Sequence, residues 1–413
     1  MTDTSQERLH ALDAVRGFAL IAGIVFHATM SFLPPLAPGI PAWIVADNHP
    51  SPTLALAFHV LHVFRMATFF LIAGFFAHLM VERRGVGGFV RDRARRIVIP
   101  LVIGWPILFA AILAVTIWAA IDQAQGRPLP PPPKYPGFPA FPLTHLWFLY
   151  LLLWLYAATL ALRGMARAID QTGALRRLAD RTVRALVESP AGVLALAVPT
   201  ALALALDPAW YAWAGIPTPD SSLIPNAQAA VAFFTTFAFG WLLHRQTDLL
   251  AVFRRRWPLN LTIGVLALVV EIIAAGGFLP TIRPLTSEPA KIAAAAGYAL
   301  ATWTLTFAAI GLSLRFLDGF SPVRRYIADS SYWLYLVHLP LVMALQVLVA
   351  RLAWPWALKY AVILGVAFPL MLASYELLVR HSFIGWVLNG RRYPWPKRGR
   401  MAAPQPADSA SQA

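Results

Sequence analysis

The chain predicts an all-α, polytopic integral membrane protein of about ten transmembrane helices, with both termini in the cytoplasm. Three observations predict it: the composition, the length of the apolar blocks, and the way basic charge alternates between them. Of 413 residues, 59% are hydrophobic and only 13% charged, about half the charged share of a soluble domain. Composition therefore overrides the two soluble domains that length alone would allow. The apolar residues come in blocks near the roughly 20 residues that cross a hydrocarbon core as helix. Residues 191–206 carry no charge, and residues 257–279 carry one, Glu271. Lipid leaves no water for open backbone groups, so such continuous runs read as helices.

The spans fall at 12–34, 54–80, 97–121, 144–162, 191–206, 226–244, 257–279, 292–314, 331–350 and 354–378. Span 191–206 is short, and span 54–80 is long enough to tilt. No period of 20–50 residues repeats along the chain, which argues against a solenoid. Between the spans, basic residues alternate. Segments 81–96 and 163–190 hold six arginines each, 245–256 four and 315–330 three, and the tail from Arg380 holds six Lys or Arg. With Arg8 this makes 26 on one side, against five on the other. The positive-inside rule then places both termini in the cytoplasm, and a multi-pass protein of the inner membrane is expected. A net charge of +15 is better explained by a membrane surface than by nucleic acid, because the basic residues flank apolar spans.

There is no cysteine, which excludes disulfides, thiolate nucleophiles and Cys-ligated metals. The N-terminal MTDTSQERLHALDAVRG lacks a positive region followed by a cleavage site, so the first span reads as a retained helix. Residues 173–188 set Leu175, Leu178 and Leu186 on one helical face among arginines, the pattern of a helix lying on the membrane surface. Residues 126–142 are proline-rich and extended, a stiff connector or a cap over an external opening. A membrane domain over 1–395 is expected, with a disordered polar tail over 396–413.

Ionisable groups inside spans are costly and mark function. In the first span, Arg16 and His27 are 11 residues apart. Eleven steps of about 100° bring both onto one face, about 16 Å apart along the axis. Asp13, one turn before Arg16, can pair with it. An arginine at the inner boundary suits phosphate, and a histidine in an apolar site suits proton transfer. On the second span, His59, His62 and Arg65 form one stripe, and Arg65 near mid-membrane needs a partner or a substrate. Ser331, Tyr335 and His338 share a face of the ninth span. Pro340 beyond them frees a carbonyl one turn back. His145 opens the fourth span beside Trp147, where it meets an acceptor or anchors the interface. Glu271 is the candidate partner for Arg65 or His27. The histidine stripe lacks a matching carboxylate, so no metal site is assigned.

Arg16, ten intervening residues and His27, opened by LDAVRG, resemble the signature of the acyltransferase family 3 membrane proteins. FFLIAGFF (69–76), RARRIVIP (93–100), HLWFLYLLL (145–153) and SSYWLYLVHLPLV (330–342) match in order, over roughly residues 9–380. FRMATFFLIAGFF, HLWFLYLLLWLY and SYWLYLVHLPLV are most similar to the glucans biosynthesis protein C branch. One departure is Ala73-Gly74, where many relatives carry Ser-Gly. The resemblance implies a membrane O-acyltransferase that takes a succinyl or acetyl group from cytoplasmic acyl-CoA to a hydroxyl of an extracytoplasmic glucan or other carbohydrate. His27 would be the general base, with a transient acyl-histidine as a variant of the same chemistry. Arg16 would hold the CoA phosphates with Arg95 and Arg96. Arg65, His62, His145, His338, Tyr335 and Ser331 are candidate substrate contacts. The expected partners are acyl-CoA, the carbohydrate acceptor and membrane lipids, with no permanently bound cofactor. A transporter of a small solute without covalent chemistry is the alternative.

Overall fold

In the computed structural model the described residues are 3–128, 136–390 and 392–394, and of residues 3–10 the backbone alone. The expected tail over 396–413 and residues 129–135 of the proline-rich loop lie outside them. Among the described residues the chain is helical throughout, with isolated bridges and no strands. In chain order the helices are α1 (Asp3–Thr29), α2 (Pro52–Arg93), α3 (Ile99–Ala124), α4 (Trp147–Ile169), α5 (Ala174–Glu188), α6 (Gly192–Ala205), α7 (Ala227–Leu243), α8 (Leu250–Ala274), α9 (Glu288–Phe316), α10 (Pro322–Ala350), α11 (Trp356–Ser374) and α12 (Phe383–Asn389).

Helix starts follow local chemistry. The Ser51, Asn226 and Ser321 side chains accept from backbone N–H groups of the first turns of α2, α7 and α10, replacing bonds a helix start lacks. Pro52 and Pro322 follow their caps, where a missing N–H costs nothing. The long α2 breaks at Gly85, whose φ of 67° lies in the left-handed region that glycine tolerates. A π-turn over Ala94–Val98 then joins it to α3.

Seven helical stretches are long and apolar enough to cross a membrane. Ten crossings require the two longest, Pro52–Ala124 and Ala227–Ala274 at 73 and 48 residues, to be crossed twice each, with the shorter α6 counted as well. Lipid-facing character is plain on α3 and α8, where Val102, Ile107 and Ile273 are exposed. The bundle centres on α9, where Ala294, Tyr298, Trp303 and Ile310 are fully buried. Small residues there let neighbouring helices approach closely. The tightest crossing joins α2 to α7. A Cβ on Gly74 would sit 2.0 Å from Phe237 O, and one on Gly240 would sit 1.9 Å from Leu71 O. Gly74 is thus explained by packing, and Ala73 beside it lines the central cavity.

The stretch read as an amphipathic helix forms α5, which meets α6 at 104°. Leu175 and Leu178 are exposed, while Val183 and Val187 pack on the bundle. Asp180 receives two bonds from Arg245 at 2.8 and 2.7 Å, and Arg256 donates to the Val187 and Glu188 carbonyls.

Candidate functional site

A cavity of about 560 Å³ runs through the helices and is lined by both Arg16 and His27. The helical spacing of these two residues therefore opens into one space. At one end stand Arg16, Arg93 and Arg96, in the middle His27, His62, Arg65, His145 and His338, and at the other end Trp43, Thr218, Asp220 and Ser221.

At the arginine end, Arg16 reaches the Ala328 carbonyl at 3.4 Å and Asp13 at 3.6 Å. Asp13 pairs with Arg16 but does not line the cavity. Arg96 Nε donates to Leu388 O at 2.9 Å, and Tyr332 donates its hydroxyl proton to Arg96 O. Buried Asp92 gathers Arg84, Arg93, Arg95 and Arg96 within 4.0 Å. Of the expected pair, Arg96 reaches the cavity. Arg95 instead stacks over Trp386 at 4.5 Å, and Arg93 takes the second place on the wall. Arg93 and Arg96, three residues apart, share a helical face, and Arg95 is turned about 100° away from Arg96.

In the middle, His27 Nδ1 lies 3.3 Å from Met30 Sδ. A thioether can only accept, so Nδ1 carries the proton and Nε2 holds the lone pair. The His338 ring is centred 5.0 Å from that of His27. His338 Nδ1 donates to Tyr335 O at 2.7 Å, and its buried Nε2 has no partner. His145 Nε2 donates to Leu336 O at 3.0 Å. That carbonyl is the one Pro340, four residues on, leaves without a donor. The freed carbonyl expected from the sequence is therefore present, and His145 satisfies it. Tyr335 donates to His145 O at 2.7 Å and Ser331 to Ala328 O at 2.7 Å. Both line the cavity.

The stripe on α2 divides. His59 is buried and bonds Glu271 Oε2 at 2.8 Å. The missing carboxylate thus comes from α8, and Glu271 pairs with neither Arg65 nor His27. His62 donates Nε2 to Ala214 O at 3.1 Å and is stacked by Phe26 and Phe58. Arg65 is 9% exposed, and among the described residues no carboxylate pairs with it. Its guanidinium lies 4.4 Å over the Phe26 ring, and a Cβ on Gly23 would sit 2.9 Å from its Nη1.

The far end was missed in sequence. Asp220 lies in the loop before α7, in a segment without basic residues, and a search confined to spans passes over it. Burial by the cavity walls pushes its carboxyl above the ordinary aspartate range, against bonds from its own N–H and Ser221 that pull it down. The side chain is exposed, but on a concave wall that still strips away water. Gln346 was missed too. It donates to the His27 and Ala28 carbonyls at 2.9 and 3.3 Å, and a polar amide within an apolar span was the available signal. Met30 gave none.

Outside the cavity, His78, Glu82 and His244 form the group that could hold a metal ion among the described residues. The two Nδ1 atoms are 2.8 Å apart. Arg83, Arg163, Arg176 and Arg245 act on the histidines electrostatically, a field that opposes a cation.

Comparison with known proteins places the chain among relatives by sequence. Glucans biosynthesis protein C of Escherichia coli (strain SMS-3-5 / SECEC) is 29% identical over 108 residues, 26% of this chain and 26% of that protein. The same protein of Salmonella heidelberg (strain SL476) is 29% identical over 108 residues, 26% of this chain and 27% of its own length. The chain thus matches about a quarter of each of these relatives. No solved structure matches the chain. The family model described as an acyltransferase domain matches residues 9–376, nearly the whole chain including Arg16, His27 and the cavity they share, and the chain belongs to acyltransferase family 3.

Proposed function

We propose that the protein is an inner-membrane O-acyltransferase that carries an acetyl or succinyl group from cytoplasmic acyl-CoA to a hydroxyl of an extracytoplasmic carbohydrate. The observation that carries this reading is the single cavity lined by Arg16, His27 and Asp220. It offers cations at one end, a base in the middle and a polar mouth at the other. The 26-to-five charge bias sets the arginine end, and both termini, in the cytoplasm.

Arg16, Arg93 and Arg96 hold the CoA phosphates through charge-assisted bonds. The pantetheine arm then extends along the face shared by Arg16 and His27, about 16 Å at helical rise. His27 Nε2, its lone pair set by the Nδ1–Met30 contact, takes the proton of the acceptor hydroxyl. The hydroxyl oxygen attacks the thioester carbonyl, and the unpaired Arg65 guanidinium faces the negative charge that develops. The C–S bond breaks, CoA leaves as thiolate, and His27 returns the proton to sulfur. One ester forms, one thioester is lost, and no net proton is released.

The test offers radiolabelled acyl-CoA and a glucan to purified protein in detergent. Label covalently attached to the saccharide, and lost in His27→Ala protein that still elutes as a folded species, is the expected result. Normal acylation by His27→Ala would end the assignment. Solute uptake into proteoliposomes without covalent transfer would favour a transporter instead.

A further inference from the structure

The cavity end remote from the arginines has the parts of a saccharide site. Trp43 lines it and is half-buried. The indole is braced by two buried clusters, Ile112 and Met343 in one and Val45 and Val347 in the other, while part of it still lines the cavity. Its Nε1 donates to Gln346 Oε1 at 3.4 Å, and Gln346 in turn bonds the His27 carbonyl. The platform is therefore tied to the helical turn that carries the base.

The loop bearing Trp43 is held firmly. Asp47 N–H donates to Ser31 O and Ser51 N–H to Phe32 O, both at 2.8 Å. Lys359, fully buried, donates Nζ to both Asp47 oxygens at 2.9 and 3.0 Å, to Ala350 O at 3.0 Å, and to Asn48. An aromatic surface fixed before binding loses little freedom on binding.

Asp220 is the one carboxylate on the cavity lining among the described residues, with Thr218 and Ser221 beside it. No ion pair engages it among those residues. The segment it sits on is anchored, since Phe141 N–H donates to Ser221 O at 2.9 Å and Leu223 N–H to Pro139 O at 3.0 Å. The four lining cations, Arg16, Arg65, Arg93 and Arg96, all lie in the middle or at the opposite end. The cavity lining is mainly apolar, with four cations and one carboxylate set into it.

We propose that this end is the acceptor subsite, in which Trp43 stacks on one face of a pyranose ring and Asp220, with Thr218 and Ser221, takes hydrogen bonds from its hydroxyls, selecting a neutral sugar over an anionic one. The proposal rests on the acyltransferase reading for its chemistry and on the cavity alone for its binding. Indole offers a large rigid apolar face to the C–H side of a sugar. Hydrogen bonds to a charged acceptor are the stronger kind. The same charge repels a carboxylate- or phosphate-bearing acceptor.

The experiment uses the full chain in detergent, with a neutral β-linked gluco-oligosaccharide and a uronate-bearing oligosaccharide as probes. Calorimetry without donor reads binding, and initial rates with acyl-CoA read the KM of each substrate. Trp43→Ala and Asp220→Asn are expected to raise the neutral-acceptor KM about tenfold, the worth of one charge-assisted bond. The acyl-CoA KM should stay within about twofold. Trp43→Phe should restore most of the acceptor binding, and Asp220→Asn should narrow the preference for the neutral sugar. An unchanged acceptor KM in both variants, or equal rises for donor and acceptor, overturns the subsite. Wild-type protein that binds the neutral sugar but transfers nothing overturns the transferase and leaves the subsite standing. Wild-type protein that transfers while calorimetry shows equal binding of both sugars overturns the subsite alone. Asp220 is exposed, so its asparagine variant remains informative even if a Trp43 variant fails to fold.

Discussion

His59 and Arg65 stand six residues apart on α2, about 120° apart around the helix, and they meet opposite fates. His59 is sealed against Glu271 at 2.8 Å, with both side chains at most 1% exposed. Arg65 lines the cavity, and no carboxylate from any described helix pairs with it. A hydrogen-bonded pair closed on itself is architecture. A cation left open to a cavity awaits a substrate or a developing charge. Position along a helix does not separate the two, because the deciding group arrives from another helix.

The comparison can be broken from either side. The largest effect is expected at His27, whose alanine variant should lose about 10³-fold or more in kcat, within the range for a general base. Its thermal unfolding, followed by tryptophan fluorescence, should stay near wild type. Glu271→Ala should act in the other way. It leaves His59 buried without its hydrogen-bond partner, which costs about 1–3 kcal/mol. The melting temperature should fall, while kcat per folded molecule changes little. A Glu271→Ala protein of normal stability but lost turnover would move Glu271 out of the scaffold and into the machinery. Arg65→Met should lose about 10²-fold in kcat, the scale of one oxyanion donor, with a small change in stability. A fall in stability without a fall in rate would show that the guanidinium serves packing.

The smallest effect sharpens the picture at the arginine end. Arg96→Ala should raise the acyl-CoA KM about tenfold, since it removes a charged hydrogen-bond donor. Arg95→Ala should raise it less than about twofold, because its guanidinium is occupied with Trp386. Equal effects would restore the pair read from the sequence.

What was legible in the sequence was whatever a single helix determines. The apolar runs mark α1, α3, α6, α8 and α9 because lipid dictates their length. Arg16 and His27 share a face because helical geometry is fixed, and Pro340 frees a carbonyl wherever it stands in a helix. What could not be read depends on partners supplied across the bundle. The sequence offers Glu271 to Arg65 or His27, whereas the fold gives it to His59. Arg93 joins Arg96 on the cavity wall, and Arg95 turns instead to Trp386, supplied by α12. Asp220 and Trp43 lie in loops, where no periodicity assigns a side chain to a surface.

The contact of Gly74 with the Phe237 carbonyl, mirrored by Gly240 on Leu71, has a kinetic corollary. Two backbones that touch with no side chain between them have no lubricating layer, so α2 and α7 are welded into one strut. A machine that rocks its halves to expose a site first to one face and then to the other could not hinge along that seam. If acyl groups pass through this chain, any rearrangement that helps them has to run along another seam, or be left to the flexible thioester arm.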